Sequence, residues 1–169
     1  MVNNFSVRNW FFIAFSLVPC AGYASTLNFE NYKVSEIYSG EHYQLTSNEQ
    51  SDEKWMTERK NAMEGPVNLA GNYVVYTVGC GGGTVCGEIL NVKTGEVVGS
   101  LPNAYYINGE GGTAPFALIS KADSRLLIVI GVAADPEVGM SGEEVNQRNR
   151  QRYYEFADNE LHLIKVFEK

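Results

Sequence analysis

The chain has 169 residues, 44% of them hydrophobic, and a formal net charge of −7. Nucleic acids and anionic lipids repel an acidic surface, so the charge disfavours both as partners and suits a basic one. The length allows one domain with a substantial core and is too short for two of ordinary size.

The first 24 residues have the pattern of an export signal. Arg8 is their only charged residue, residues 10–18 are apolar, and Gly22-Tyr23-Ala24 supplies small residues for cleavage. We expect a mature chain that begins at Ser25 with a net charge of −8, because the signal removes one arginine and no acid. The location implied is the periplasm or the medium, with no stable membrane insertion after cleavage.

Two other uses of this N-terminal segment remain open. A membrane anchor needs roughly 20 apolar residues, and the apolar run is shorter than that. Lipid attachment at Cys20 is a further alternative, since Leu17 has the right offset before it, but Pro19 stands where a small residue is expected.

The body begins with a segment whose aromatic and aliphatic residues are loosely spaced. Over Thr26–Leu45 we predict one or two strands with a turn at Ser39-Gly40. The stretch Ser47–Met63 is rich in helix formers and ends at Gly65-Pro66, so it predicts a helix whose Trp and Met stripe packs against the core.

From Gly71 onward, short β-rich runs alternate with polar turns. We predict strands over Asn72–Val78, Glu88–Val92, Glu96–Leu101, Phe116–Ser120, Leu126–Val132, Arg152–Phe156 and Leu161–Phe167. The fold class is therefore mainly β, a β-rich α+β domain over 25–169. We expect an open antiparallel β-meander of several hairpins with one packed helix near residues 51–63. The hairpins are faintly propeller-like, but the chain is too short for a closed ring of blades.

Cys80 and Cys86 are the only cysteines of the body, and glycines surround them. Behind an export signal this even pair predicts a disulfide that staples a β-hairpin. A metal pair and a redox pair are the alternatives. Metal binding needs further ligands at suitable spacing, and a redox pair usually reads Cys-x-x-Cys at the start of a helix.

Two segments, 102–115 and 134–150, lack a strong strand or helix pattern. Loops of this length are often functional, and tyrosine frequently anchors interfaces. The candidate partner-binding residues are Tyr105, Tyr106, Glu110, Glu143 and Glu144, together with Thr84 of the disulfide loop. The alternative is that the two tyrosines simply cover a sheet edge.

Several stretches carry a resemblance to a known group of sequences. They are Gly65–Tyr73, Gly79–Gly87 and Glu88–Val97, followed by Asp123–Val129 and Arg152–Phe156. Together they resemble a group of small exported bacterial proteins of unassigned activity, with patterns like Phe-Ala-Gly-x-Tyr, Gly-Cys-Gly-x-x-Cys and Asp-x-Lys-Thr-Gly-x-Val. The resemblance implies export and a β-rich fold, and it supplies no catalytic residue.

No catalytic constellation is recognisable in the sequence. His42 and His162 have no local triad signature, and no Gly-x-Ser-x-Gly elbow is present. Gly81–Gly83 lacks the lysine and helix start that a phosphate loop needs. We therefore predict no enzyme, no cofactor and no metal site.

The function predicted from these features is a non-enzymatic binding module of the bacterial envelope. One alternative is a periplasmic inhibitor or immunity protein that blocks a cell-wall hydrolase, such as a lysozyme or secreted amidase. Many of these hydrolases are basic, so complementary fields would speed association with an acidic domain. A second alternative is an uncharacterised envelope enzyme.

Overall fold

The structure is a computed structural model that describes residues 27–51, 53–109, 112 and 114–169. The predicted export signal and Glu110 lie outside the described residues. Within them the chain is mainly β, with antiparallel sheets and a smaller helical part, which confirms the predicted fold class. None of the helices in the described ranges has the length and apolar character needed to cross a membrane.

The predicted helix is confirmed as α2, Glu53–Glu64, with a short helix α1, Ser47–Ser51, before it. Helix α2 buries Arg59 and Met63 against the sheet. The helix ends at Glu64, directly before Gly65, in agreement with the predicted stop at Gly65-Pro66.

The prediction of strands over residues 26–45 is wrong for the residues described there. Residues 27–45 contain a 3-10 helix, Phe29–Tyr32, and otherwise run irregularly across the ends of other elements. Their backbone N–H groups reach different acceptors in turn, with Val34 donating to Asp123 and Tyr43 donating to Val92. A strand needs one continuous neighbour, and this segment has several single contacts instead.

Two four-stranded antiparallel sheets form the body of the described chain. The first has the order β1-β2-β3, with β4 also paired to β2, and the second has the order β10-β9-β6-β5. A two-stranded hairpin, β7-β8, stands apart from both. The strands are β1 Tyr73–Gly81, β2 Thr84–Asn91, β3 Glu96–Ser100, β4 Tyr105–Tyr106, β5 Ala117–Ile119, β6 Leu126–Val132, β7 Glu137–Val138, β8 Glu144–Val145, β9 Asn149–Ala157 and β10 Glu160–Glu168.

The first sheet is buried on both faces. Val74 lies opposite Leu90, and Val75 lies opposite Ile89. Successive residues of a strand point to opposite faces, so Val74 and Leu90 pack with Met63 of α2 while Val75 and Ile89 pack with the second sheet. The layers are therefore helix, sheet and sheet.

The disulfide between Cys80 and Cys86 is confirmed, with a Cα–Cα distance of 5.7 Å. It joins β1 to β2 at the closed end of their hairpin, where Cys80 is the bulged residue between Gly79 and Gly81. The three glycines of the loop, Gly81–Gly83, all have positive φ, and no atom lies within 4 Å of a Cβ built on any of them. Turn geometry therefore accounts for these glycines.

We expect Cys80→Ser to lower the free energy of unfolding by about 2 kcal/mol, because the open chain regains loop entropy in the unfolded state. The measurement is urea denaturation of oxidised wild type, reduced wild type and the variant. Reduced wild type should match the variant. Equal free energies of unfolding for oxidised wild type and the variant would contradict the prediction.

Candidate functional site

The loop of the disulfide hairpin is closed by its own polar groups. The Thr84 hydroxyl donates to the Gly81 carbonyl at 2.5 Å and lies 3.2 Å from Sγ of Cys80. Thr84 is half-buried. The Thr84 hydroxyl therefore donates within the loop. Thr84 was predicted as a partner contact, and its side-chain donor is already used in this way.

Strand β4 rests on this hairpin, because Tyr105 pairs with Val85 and Tyr106 pairs with Thr84. The two tyrosines point to opposite faces of the strand. Tyr105 is 0% exposed and belongs to the core between the sheets. The prediction that Tyr105 contacts a partner is therefore wrong, because strand alternation turns its ring inward.

Tyr106 is the tyrosine that reaches a surface cleft. It lines a cleft of about 190 Å³ with Gly109, Val132 and Gln147. The two segments that lack a strand or helix pattern in the sequence, 102–115 and 134–150, both contribute residues to this cleft. The structure thus brings together the two segments that sequence analysis selected as candidate binding loops.

A buried ion network lies beneath β7 and β9. Arg152 is 0% exposed, Glu137 is 4% exposed and Arg150 is 5% exposed. Arg152 donates through Nε to Oε1 of Glu137 and through Nη2 to Oε2 at 2.7 Å, and Arg150 donates to Oε2 of Glu137 at 3.0 Å. The guanidinium groups therefore donate charge-assisted hydrogen bonds to both oxygens of the Glu137 carboxylate.

Backbone carbonyls and an aromatic ring complete the surroundings of the two arginines. Arg152 Nη1 donates to the Gly131 carbonyl at 3.0 Å, and Arg150 Nη1 donates to the Asn146 carbonyl at 2.6 Å. The Arg152 guanidinium lies 5.3 Å from the centroid of the Tyr105 ring, within cation–π range. The network therefore joins β4, β6, β7 and β9.

This network holds the small β7–β8 hairpin in place and decides which of its side chains face out. Glu137 points into the protein, so its neighbour Val138 faces solvent and is 58% exposed. Met140 in the turn is 56% exposed, and Glu143 and Glu144 are exposed beside it. We call Val138, Met140, Glu143 and Glu144 the hairpin tip.

The two glutamates of the hairpin tip differ in what they do locally. The Glu143 carboxylate accepts a hydrogen bond from the Ser141 backbone N–H at 3.0 Å, so it stabilises its own turn. Glu144 lies on β8 opposite Val138. Of the two residues predicted as partner contacts, Glu144 is therefore the one whose charge is not already used to hold the turn.

A second polar cluster joins α2 to the first sheet. Arg59 donates to Glu88 through Nε at 2.9 Å and Nη2 at 2.7 Å, and the Tyr76 hydroxyl donates to Oε2 of Glu88 at 2.5 Å. Arg59 also lies 3.3 Å from the Glu49 carboxylate. Burial raises the pKa of the Tyr76 hydroxyl well above its usual range, and the hydrogen bond to Glu88 adds to the rise.

Sequence analysis missed the charged residues of both clusters, and one signal could have found the first. Arg150, Arg152, Tyr154 and Phe156 recur at every second position of β9, and all are buried on one face. That spacing identifies a single inward face whose first two members are charged. The partners Glu137 and Glu88 are distant in sequence from the arginines they bind, so no local pattern marks them.

The two histidines are placed apart. His42 Nδ1 lies 2.7 Å from the Met63 carbonyl oxygen at the end of α2, and the ring lines a cleft of about 390 Å³ that also contains Lys60 and Glu64. His162 is exposed on β10. In the part of the chain that the structure describes, no three His, Cys, Asp or Glu side chains cluster in a way that could hold a metal ion.

Comparison with protein-family models, with curated proteins and with solved structures finds no match to this chain.

We expect Glu137→Gln to lower the free energy of unfolding by about 3 kcal/mol, because it leaves the buried Arg152 guanidinium without its carboxylate partner, while Arg150 keeps the Glu168 carboxylate at 3.2 Å. The matched control is Glu144→Gln, the same change on the paired strand at an exposed position, which should stay within about 0.5 kcal/mol of wild type. Urea denaturation followed by circular dichroism measures both. Equal losses of unfolding free energy in the two variants would contradict the prediction that Glu137 contributes more to stability than an exposed glutamate.

Alkaline pH should destabilise the protein through its buried tyrosines. Burial raises the pKa of both Tyr76 and Tyr105 above the ordinary value, so the folded state favours the neutral phenols. Their stabilising contribution is complete below the unfolded pKa of about 10 and is lost as pH rises past it. Urea midpoints between about pH 8 and pH 11 should fall steeply only above pH 10. The double variant Tyr76→Phe/Tyr105→Phe should lose much of this slope, and an unchanged slope would refute the assignment.

Proposed function

We propose that this protein is an exported, non-enzymatic binding module of the bacterial envelope and that its ligand is a basic protein. The N-terminal pattern of residues 1–24 supports export. The bonded pair Cys80–Cys86 supports an oxidising compartment, where such bonds form and persist. The net charge of −7 supports a basic partner.

The observation that carries this proposal is the hairpin tip. Val138 and Met140 expose apolar surface, and Glu143 and Glu144 border it with negative charge. An apolar centre with a polar rim is the usual anatomy of a protein interface, and the flexible methionine side chain adapts to the shape of a partner.

The buried network beneath the hairpin tip supports the same proposal. Glu137 is tied to Arg150 and Arg152 on β9, so the backbone that carries Val138 is held in one position. A preorganised surface loses less conformational entropy when it binds. The side chains of Val138 and Met140 contribute little to the core, because more than half of each is exposed.

A second candidate function is inhibition of a cell-wall hydrolase, as an inhibitor or immunity protein. The specific observation in its favour is the stapled loop Gly81–Gly83 beside β4, where Ile107 donates its N–H to the Gly83 carbonyl and is 44% exposed. A rigid loop with an apolar neighbour could enter a substrate cleft. In this case the basic partner would be a peptidoglycan hydrolase.

The test uses the oxidised full chain immobilised against an envelope extract, with proteins released by a salt step. We expect a basic protein whose affinity falls as salt rises from about 50 to about 500 mM, because exposed charges more than about 10 Å apart are screened at 0.1 M. Glu144→Lys should weaken its binding, and Met140→Ser should weaken it at every salt concentration. A hydrolase in the eluate whose activity the chain blocks would select the second candidate.

The control variant is Glu160→Lys, which makes the same charge change at the other end of the β9–β10 hairpin. Glu160 pairs with Ala157, which follows Arg152 by five residues and Arg150 by seven on β9, a span of roughly 17 to 23 Å for an extended strand. Glu160→Lys should keep most of the affinity. A partner whose binding is insensitive to Met140→Ser and equally sensitive to both charge reversals would refute the hairpin tip as the interface.

A further inference from the structure

Another cleft, separate from those lined by Tyr106 and His42, lies where α2 approaches the link between β3 and β4. Its volume is about 280 Å³, and its lining includes Trp55, Glu88, Asn103 and Asp135. Pockets for drug-sized ligands begin at about 300 Å³. The cleft therefore suits one side chain or a ligand of similar size.

Trp55 gives this cleft an aromatic surface that attracts cations. The ring is half-buried at the edge of α2, and the indole is the aromatic group that binds cations best. The ammonium of the adjacent Lys54 already lies 5.9 Å from the ring centroid, which is near the outer limit of about 6 Å for this interaction. Lys54 therefore lies at the outer edge of the distance range for a cation–π interaction with Trp55.

Asp135 supplies negative charge in the lining of the same cleft. It is exposed, and its Oδ1 accepts a hydrogen bond from Nδ2 of Asn103 at 2.9 Å. The same Asn103 nitrogen donates to the Pro136 carbonyl at 3.1 Å, so the amide fixes the carboxylate relative to the backbone. An ionised carboxylate has about four lone-pair sites, so accepting capacity remains for a ligand.

The other charges around the cleft do not cancel that of Asp135. Glu88 accepts from both Arg59 and Tyr76, so its carboxylate is occupied. The Arg59 charge is shared between Glu88 and Glu49. Among the described residues that line the cleft, the charged ones are Glu88 and Asp135, and both are acids.

We propose that this cleft binds the cationic side chain of an arginine or lysine, with its charge stacked on Trp55 and paired with Asp135. The source of that side chain rests on the proposed function, since a basic protein partner would supply it. Asp135 is followed by Pro136 and then by β7, so the cleft is continuous along the chain with the hairpin tip. One partner can therefore reach both surfaces.

The test uses arginine amide as the probe and Trp55 fluorescence as the readout. The chain contains two tryptophans, so Trp10→Phe in the full chain leaves Trp55 as the single reporter. We expect a saturable change in emission at millimolar arginine amide. Citrulline amide, which keeps the α-amino group and the side-chain shape but lacks the guanidinium charge, should give no saturable change.

Asp135→Asn keeps the oxygen that Asn103 binds and removes the charge, so it should weaken arginine amide binding about threefold, the scale of an exposed ion pair. Asp158→Asn is the matched control, because it removes one acid at the far turn and asparagine tolerates the positive φ there. Its affinity should equal that of the parent.

The outcomes separate this inference from the proposed function. Equal responses to arginine and citrulline amides would show that the cleft does not recognise the side-chain charge and would overturn the inference, as would an Asp135→Asn affinity equal to that of the parent. Charge-selective binding of arginine amide supports the inference even if the envelope extract yields no basic protein, a result that would refute only the proposed function.

Discussion

The buried pair of Glu137 and Arg152 is the interaction on which one end of the molecule depends. Both side chains are almost fully excluded from solvent, and a buried charge persists only when it is paired and hydrogen-bonded. Glu137 lies in β7 and Arg152 lies in β9. Among the described residues the β7–β8 hairpin pairs with no strand of the second sheet, so this ion pair attaches the hairpin to it. Tyr105 covers the guanidinium from the first sheet.

The disulfide and the ion network act on the same short strand from two sides. The disulfide fixes the end of the β1–β2 hairpin, and β4 pairs with that hairpin at Thr84 and Val85. The network holds β4 from the other side through Tyr105. Segments that lack regular structure are thereby ordered through polar contacts that hold their backbone in place.

Burial decides which acids of this acidic chain can meet a partner. Glu137 and Glu88 are paired with arginines inside the protein, and the Glu143 carboxylate accepts a hydrogen bond within its own turn. Glu144 and Asp135 lie at the surface on segments that these internal contacts position. The net charge therefore counts acids of two kinds, those paired inside the protein and those left at the surface.

The sequence by itself determined the β-rich class, helix α2, the longer strands after Gly71 and the disulfide, because periodicity, turn residues and cysteine spacing are local signals. The two-residue strands β4, β7 and β8 were not predicted, because they are too short to show an alternating pattern. Only the tertiary structure decided that Tyr105 is core while Tyr106 is not, and that residues 27–45 form no strand. It also paired Arg59 with Glu88 and Arg152 with Glu137. Those pairings join residues far apart in sequence, and the burial that makes a charge seek its partner exists only after the sheets have packed.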